Sequence, residues 1–126
     1  SGDCELRYFF HIFYFVSVTI TILAQALTIV NIVSKIKFNV DDKVLVFHAF
    51  LELSEPSIFI AINKAIAENC KKIKIFPYFL AAGKHVQEDI PCEIKKFKKL
   101  HPEIEFILLP HIGNCNGIED MIISNL

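Results

Sequence analysis

The chain has 126 residues, 53% of them hydrophobic and 21% charged, which is ample for one packed core and excludes a chain that is mainly disordered. Thirteen basic and fourteen acidic side chains leave a formal charge of −1, so no global positive field exists to hold nucleic acid by counterion release. Residues 1–63 carry four Lys/Arg and six Asp/Glu against nine and eight in residues 64–126, and no charged residue occurs between Arg7 and Lys35.

The charge-free run from Tyr8 to Ser34 admits two readings. It is long enough to span a bilayer, which takes about 20 apolar residues. However, His11, Ser17, Thr19, Thr21, Gln25, Thr28 and Asn31 dilute it, and it lacks the basic flank and small-residue cleavage site of a signal peptide. The preferred reading divides it into a strand over Phe9–Thr21, rich in aromatic and β-branched residues, and a helix over Leu23–Ile36 built on Leu23, Ala26, Leu27, Val30 and Val33. A membrane segment over residues 8–33 stands as the alternative.

Beyond the polar break at Asp41-Asp42, Lys43–Phe50 is a continuous apolar strand of the kind covered on both faces. Ser54-Glu-Pro-Ser57 starts a helix, with Pro in the first turn and Ser or Glu satisfying free N–H groups. Ile58, Ile62, Ala65 and Ile66 give that helix one apolar side, and Asn69 ends it. Lys72–Leu80 is the next strand, with pairing expected to stop near Pro77. A loop at Ala81-Ala-Gly83 leads to a helix with Ile90, Ile94 and Phe97 inward and Lys95, Lys96, Lys98 and Lys99 in water. His101-Pro102 stops it, Ile104–Pro110 is a last strand, and Gly117–Leu126 a closing helix. Cys4, Cys70, Cys92 and Cys115 have no zinc-type spacing and read as reduced, mostly buried thiols in a reducing compartment.

Alternating strands and helices imply parallel strands joined by crossovers, hence a three-layer α/β sandwich with a parallel sheet, one domain over residues 1–126 whose first 40 residues are the apolar segment. Ligands of such sheets sit outside the carboxyl ends of the strands. The informative loops are therefore Glu52–Ser57, Phe79–Glu88 and His111–Gly117.

Phe50-Leu-Glu-Leu-Ser-Glu-Pro-Ser57, Pro77-Tyr-Phe-Leu-Ala-Ala-Gly-Lys-His-Val86, Glu88-Asp-Ile-Pro91, His101-Pro102 and Ile112-Gly113 follow one another here as they do in the sirohydrochlorin cobaltochelatases and ferrochelatases of the CbiX/SirB type, which this chain resembles. The resemblance covers about residues 40–126, and the motifs are specific in combination. It implies a class II chelatase fold, Co²⁺ or Fe²⁺ as a metal substrate held by histidine, sirohydrochlorin or a related tetrapyrrole in an open cleft, no organic cofactor, and pairing as a homodimer. The expected compartment is the cytoplasm, or the plastid stroma in a plant or alga.

Metal insertion needs a ligand that binds a divalent ion but releases it, and acceptors for two pyrrole protons. A neutral imidazole suits borderline first-row metals, which makes His85 the expected metal ligand and catalytic residue, with the Glu52 carboxylate as further ligand or base and substrate contact. Gly83 permits close approach to a flat macrocycle, Phe79, Leu80, Ala81 and Ala82 line its face, and Lys84 pairs with an acidic side arm. Glu55 reads as a helix-start residue, His48 as a core histidine and His101 as a turn residue.

Two departures from the pattern stand out. The His-Gly-Ser-Arg block that follows the first strand in the family is absent, and counting back from Ala49 by the family spacing lands near Val18 or Thr19, about seven residues beyond His11. The family's later Gly-x-His position holds Cys115. Three readings follow: an active chelatase using His85 with Glu52, Cys115 or His11, a degenerate tetrapyrrole- or partner-binding domain, and a chelatase-like domain tethered by residues 8–33.

Overall fold

In the computed structural model the described residues are 5–11, 19–51 and 55–126, with side chains described from residue 24 onward. Four strands, β1 (Glu5–His11), β2 (Val44–Phe50), β3 (Lys72–Pro77) and β4 (Glu105–Leu108), form one parallel sheet in the order β2-β1-β3-β4. The helices are α1 (Thr19–Asn39), α2 (Ile58–Ala67), α3 (Ile90–Leu100) and α4 (Ile118–Ser124).

Two separate buried clusters record which face each helix covers. Ile29 and Val33 of α1 pack on Val46 and Phe50 of β2, joined by Phe76 and Tyr78. On the opposite face, Ile58, Ala61, Ile62 and Ala65 of α2 and Ile90, Ile94 and Phe97 of α3 close over Ala49, Ile73, Ile75 and Phe106. The sheet thus lies between helices on both faces, which is why its strands read as apolar runs rather than as alternating ones. This is the three-layer arrangement with a parallel sheet expected from the element order.

The first strand lies earlier than the expected Phe9–Thr21. β1 pairs residue for residue with β2, from Glu5 opposite Val44 to His11 opposite Phe50, which satisfies its backbone groups over that span. Thr19–Thr21, read as strand from their β-branched side chains, belong to α1, where a small propensity penalty is overridden by the helix's packing on the sheet. The rest of that expected strand, residues 12–18, lies outside the described residues. The described residues of this stretch, 8–11 and 19–33, belong to a strand and a helix, and among the described residues no helix is long and apolar enough to cross a membrane.

Smaller differences have local causes. β3 ends at Pro77 rather than Leu80, because a proline has no N–H to extend the ladder. Pro56 precedes the N-cap Ser57 instead of occupying the first turn, and Asn69 adopts a left-handed φ of 62° just beyond the end of α2. The described cysteines are not mostly buried: Cys70 is, but Cys115 is partly exposed and Cys92 exposed. Cys4 lies outside the described residues.

Candidate functional site

β1 sits inside the sheet, with β2 on one side and β3 on the other, so its carboxyl end is flanked by the loops that follow both neighbours. Its last residue, His11, is level with Phe50, and Phe10 is level with Pro77. The count back from Ala49 by the family spacing, which does not depend on the strand's limits, still falls about seven residues beyond His11. In the structure His11 is the last residue of the first strand.

The loop after β2 folds back on its own strand. The Phe50 N–H donates to the Pro56 carbonyl at 2.9 Å, the Glu55 carboxylate accepts from the Ser57 N–H at 3.2 Å, and the Ser57 hydroxyl accepts from the Ile60 N–H at 3.2 Å. Glu55 and Ser57 are therefore helix-start residues, as their sequence position suggested. Glu52 lies outside the described residues.

His85, expected in a loop, instead opens a π-helical turn, His85–Asp89, that runs directly into α3 and is closed by the Ile90 N–H on the His85 carbonyl. The turn is tied back to the preceding loop by Gln87, whose N–H donates to the Gly83 carbonyl at 3.0 Å and whose side-chain amide donates to the Ala82 carbonyl at 2.9 Å. A histidine on a helical turn is held more firmly than one on a free loop. Its side chain is only 12% exposed, both ring nitrogens are shielded from solvent, and the ring stacks on Phe79 at 6.4 Å between centroids and 20° between planes. One turn on, Asp89 brings its carboxylate to 2.6 Å from His85 Nδ1. A carboxylate there orients the ring and favours the tautomer with its proton on Nδ1, which leaves Nε2 as the nitrogen able to ligate a cation.

His85 lines two cavities. One, of about 350 Å³, is bounded by Phe79, Leu80, Ala81, Gly83, Lys84, His85 and Val86 and is largely apolar. The other, of about 270 Å³, is lined by Leu51, Ile58, His85, Asp89, Cys92 and Glu93, so that carboxylates and a thiol share it with the ring. Of the residues expected to meet a substrate, Phe79, Leu80, Ala81, Gly83 and Lys84 share the first cavity with His85. Ala82 does not line it, its carbonyl being taken by Gln87. Asp89, Cys92 and Glu93 were missed as site residues, although their spacing of four, seven and eight from His85 marks one face of a helical stretch.

The third loop carries Cys115, whose Sγ donates to the carbonyls of His111 at 3.4 Å and Pro110 at 3.6 Å, and so faces its own loop. That loop reaches the first cavity through Gly113, whose N–H donates to the Phe79 carbonyl at 3.0 Å. Among the described residues no three His, Cys, Asp or Glu side chains converge on a single metal position. His48 and His101 stay outside the site: His48 makes an edge contact with Phe50 at 5.7 Å and His101 lies 3.3 Å from the Glu103 carboxylate at the end of α3.

A family profile described as CbiX matches residues 25–126. A sirohydrochlorin cobaltochelatase of Methanococcus aeolicus is 56% identical over 41 residues, 32% of this chain and 29% of that protein. One of Sulfolobus acidocaldarius is 31% identical over 78 residues, 62% of this chain and 61% of that protein, and a sirohydrochlorin ferrochelatase of Priestia megaterium is 30% identical over 77 residues, 61% and 29%. The matched parts are thus about a third or less of several of these relatives. The fold matches the cobalt-bound sirohydrochlorin chelatase SirB of Bacillus subtilis with a TM-score of 0.74 at 22% identity, covering 97% of this chain and 49% of that one. It also matches a crystal structure described as a cobalamin biosynthesis CbiX protein of Marinobacter aquaeolei with a TM-score of 0.70 at 21% identity, covering 97% and 96%.

Proposed function

This chain belongs to the CbiX family, and we propose that it is a sirohydrochlorin chelatase, inserting Co²⁺ or Fe²⁺ into the tetrapyrrole in cobalamin or siroheme biosynthesis. The observation that carries this reading is the position of His85 between an apolar cavity and one lined by Asp89, Cys92 and Glu93. A flat macrocycle suits the first side and a hydrated divalent cation the second, so one imidazole can hand the metal from one to the other. Imidazole binds borderline first-row metals strongly enough to strip water from them and, near neutral pH, lets them go.

On this reading Phe79, Leu80, Ala81 and Gly83 face the macrocycle, and Lys84, exposed at the rim, attracts one of its acidic arms. Insertion releases two pyrrole protons. Glu52 and His11 are the groups we assign to accept them or to complete the metal's ligands, on the strength of Glu52's place in the family pattern and of His11's position at the carboxyl end of β1. The chain aligns with one half of the SirB fold, so we propose that a second copy of this unit completes the cleft.

The second reading, a domain that binds the tetrapyrrole without inserting metal, is favoured by one observation: Cys115, at the place of a family histidine, turns its thiol to its own loop. An absorbance time course with sirohydrochlorin and Co²⁺ or Fe²⁺ separates the two. Metal insertion faster than the protein-free rate supports the chelatase. A protein-induced shift of the tetrapyrrole spectrum with insertion at the blank rate supports the binding domain, and no change in either overturns both.

A further inference from the structure

Gly113 stands in the third loop, in the one-turn 3-10 helix Ile112–Asn114, and no part of it lines the cavities beside His85. Yet a Cβ at this position would overlap the Leu80 carbonyl oxygen and lie 2.6 Å from the Leu80 carbonyl carbon and 3.0 Å from its Cα. All three are backbone atoms, so no rotamer change relieves the contact. Its own N–H meanwhile donates to the carbonyl of Phe79 at 3.0 Å. The two residues it touches, Phe79 and Leu80, are the apolar wall of the first cavity. Gly83, by contrast, lines that cavity directly, and no protein atom lies within 4 Å of where its Cβ would stand.

We infer that Gly113 is a positioning residue for the macrocycle: the third loop, brought into backbone contact at this one residue, fixes the height of the Phe79–Leu80 wall above the sheet. The inference rests on the chelatase reading. Replacing Gly113 by alanine must push the wall away until the new methyl clears the Leu80 carbonyl. That is a displacement on the order of 1 Å, and displacements of this size at a substrate-positioning element cost up to about a hundredfold in rate. His85 meets the wall only through its stacking on Phe79, while its backbone lies on a separate helical turn and Asp89 lies beside Nδ1, so the metal side of the site shifts less than the wall.

The test is Gly113→Ala in the full chain, with sirohydrochlorin binding followed by absorbance titration and Co²⁺ binding by calorimetry. The expected result is tetrapyrrole affinity weakened by about tenfold or more with Co²⁺ affinity within about twofold of wild type. Leu80→Ala added to Gly113→Ala should restore nothing, because the clash is with backbone atoms. Should Gly113→Ala fail to fold, Cys115→Ala, which removes the thiol's contacts to the His111 and Pro110 carbonyls and loosens the same loop, should show the same split at smaller size. Equal tetrapyrrole affinity in wild type and variant overturns the inference while leaving the chelatase reading intact, and so does an equal loss of both ligands. A wild type that binds neither ligand overturns the reading itself.

Discussion

Asp89→Asn is the substitution that most sharply tests how His85 is held. The carboxylate lies 2.6 Å from Nδ1, on the next turn of the same helical stretch, and the asparagine keeps its shape while removing its charge. Loss of a carboxylate that orients a metal-binding histidine typically weakens metal binding by about 10–100-fold. Asp89 is 37% exposed, so part of its field is screened and the lower end applies: about tenfold, or about 1.4 kcal/mol. Asp89→Ala, which also frees the ring to turn, should approach the upper end. The assay is calorimetric titration of Co²⁺ into the tetrapyrrole-free protein, with Glu88→Gln as a neighbouring charge change on an exposed position that does not meet the ring. Wild-type affinity in Asp89→Asn, or an equal loss in Glu88→Gln, would refute the argument that this contact tunes the imidazole.

Other expectations concern substrate and stability. Gly83→Ala should leave the thermal midpoint unchanged or slightly raised, since its new methyl meets no protein atom and restricts the unfolded chain, yet should weaken sirohydrochlorin binding by absorbance titration; unchanged binding would remove Gly83 from the substrate surface. Phe97→Ala should cost about 3–5 kcal/mol in urea unfolding, because the ring is 3% exposed and packs on Phe106 at 6.1 Å and Phe59 at 5.9 Å; a loss under about 1 kcal/mol would contradict the packing described. His48 is held below its ordinary pKa by burial first and then by the charges of Lys37 and Lys64, so the folded protein prefers it neutral. Its contribution is present above the unfolded value near 6.5 and is lost as pH falls through the lower folded value. Urea unfolding of His48→Gln across about pH 5–7 should accordingly show a shallower acid-side decline, and an unchanged slope would count against it.

The layers were legible because a strand buried on both faces writes itself as an apolar run: Val44–Phe50 came out to within one residue, and Ile90, Ile94 and Phe97 gave the inward side of α3 directly. The first strand was not, because from Tyr8 to Ser34 there is no charge to mark where apolar strand gives way to apolar helix, and only pairing with β2 sets its limits. His11 ends β1, about seven residues before the position reached by counting back from Ala49. His85 was singled out through the motif around it, and its helical turn was hidden by the glycine and alanines just before it. Asp89 lay in the same motif, but its role is a matter of side-chain approach, which sequence spacing suggests and only geometry displays. Gly113 could be recognised as part of a pattern, whereas its contact with Leu80 joins residues 33 positions apart and leaves no local trace.

The most direct test of His85 as the residue that delivers the metal is the initial rate of cobalt insertion into sirohydrochlorin for wild type, His85→Ala and the protein-free blank, followed by visible absorbance at saturating tetrapyrrole. Wild type should exceed the blank, and His85→Ala should fall back to it while still binding the tetrapyrrole. An alanine variant that inserts cobalt as fast as wild type would contradict that assignment.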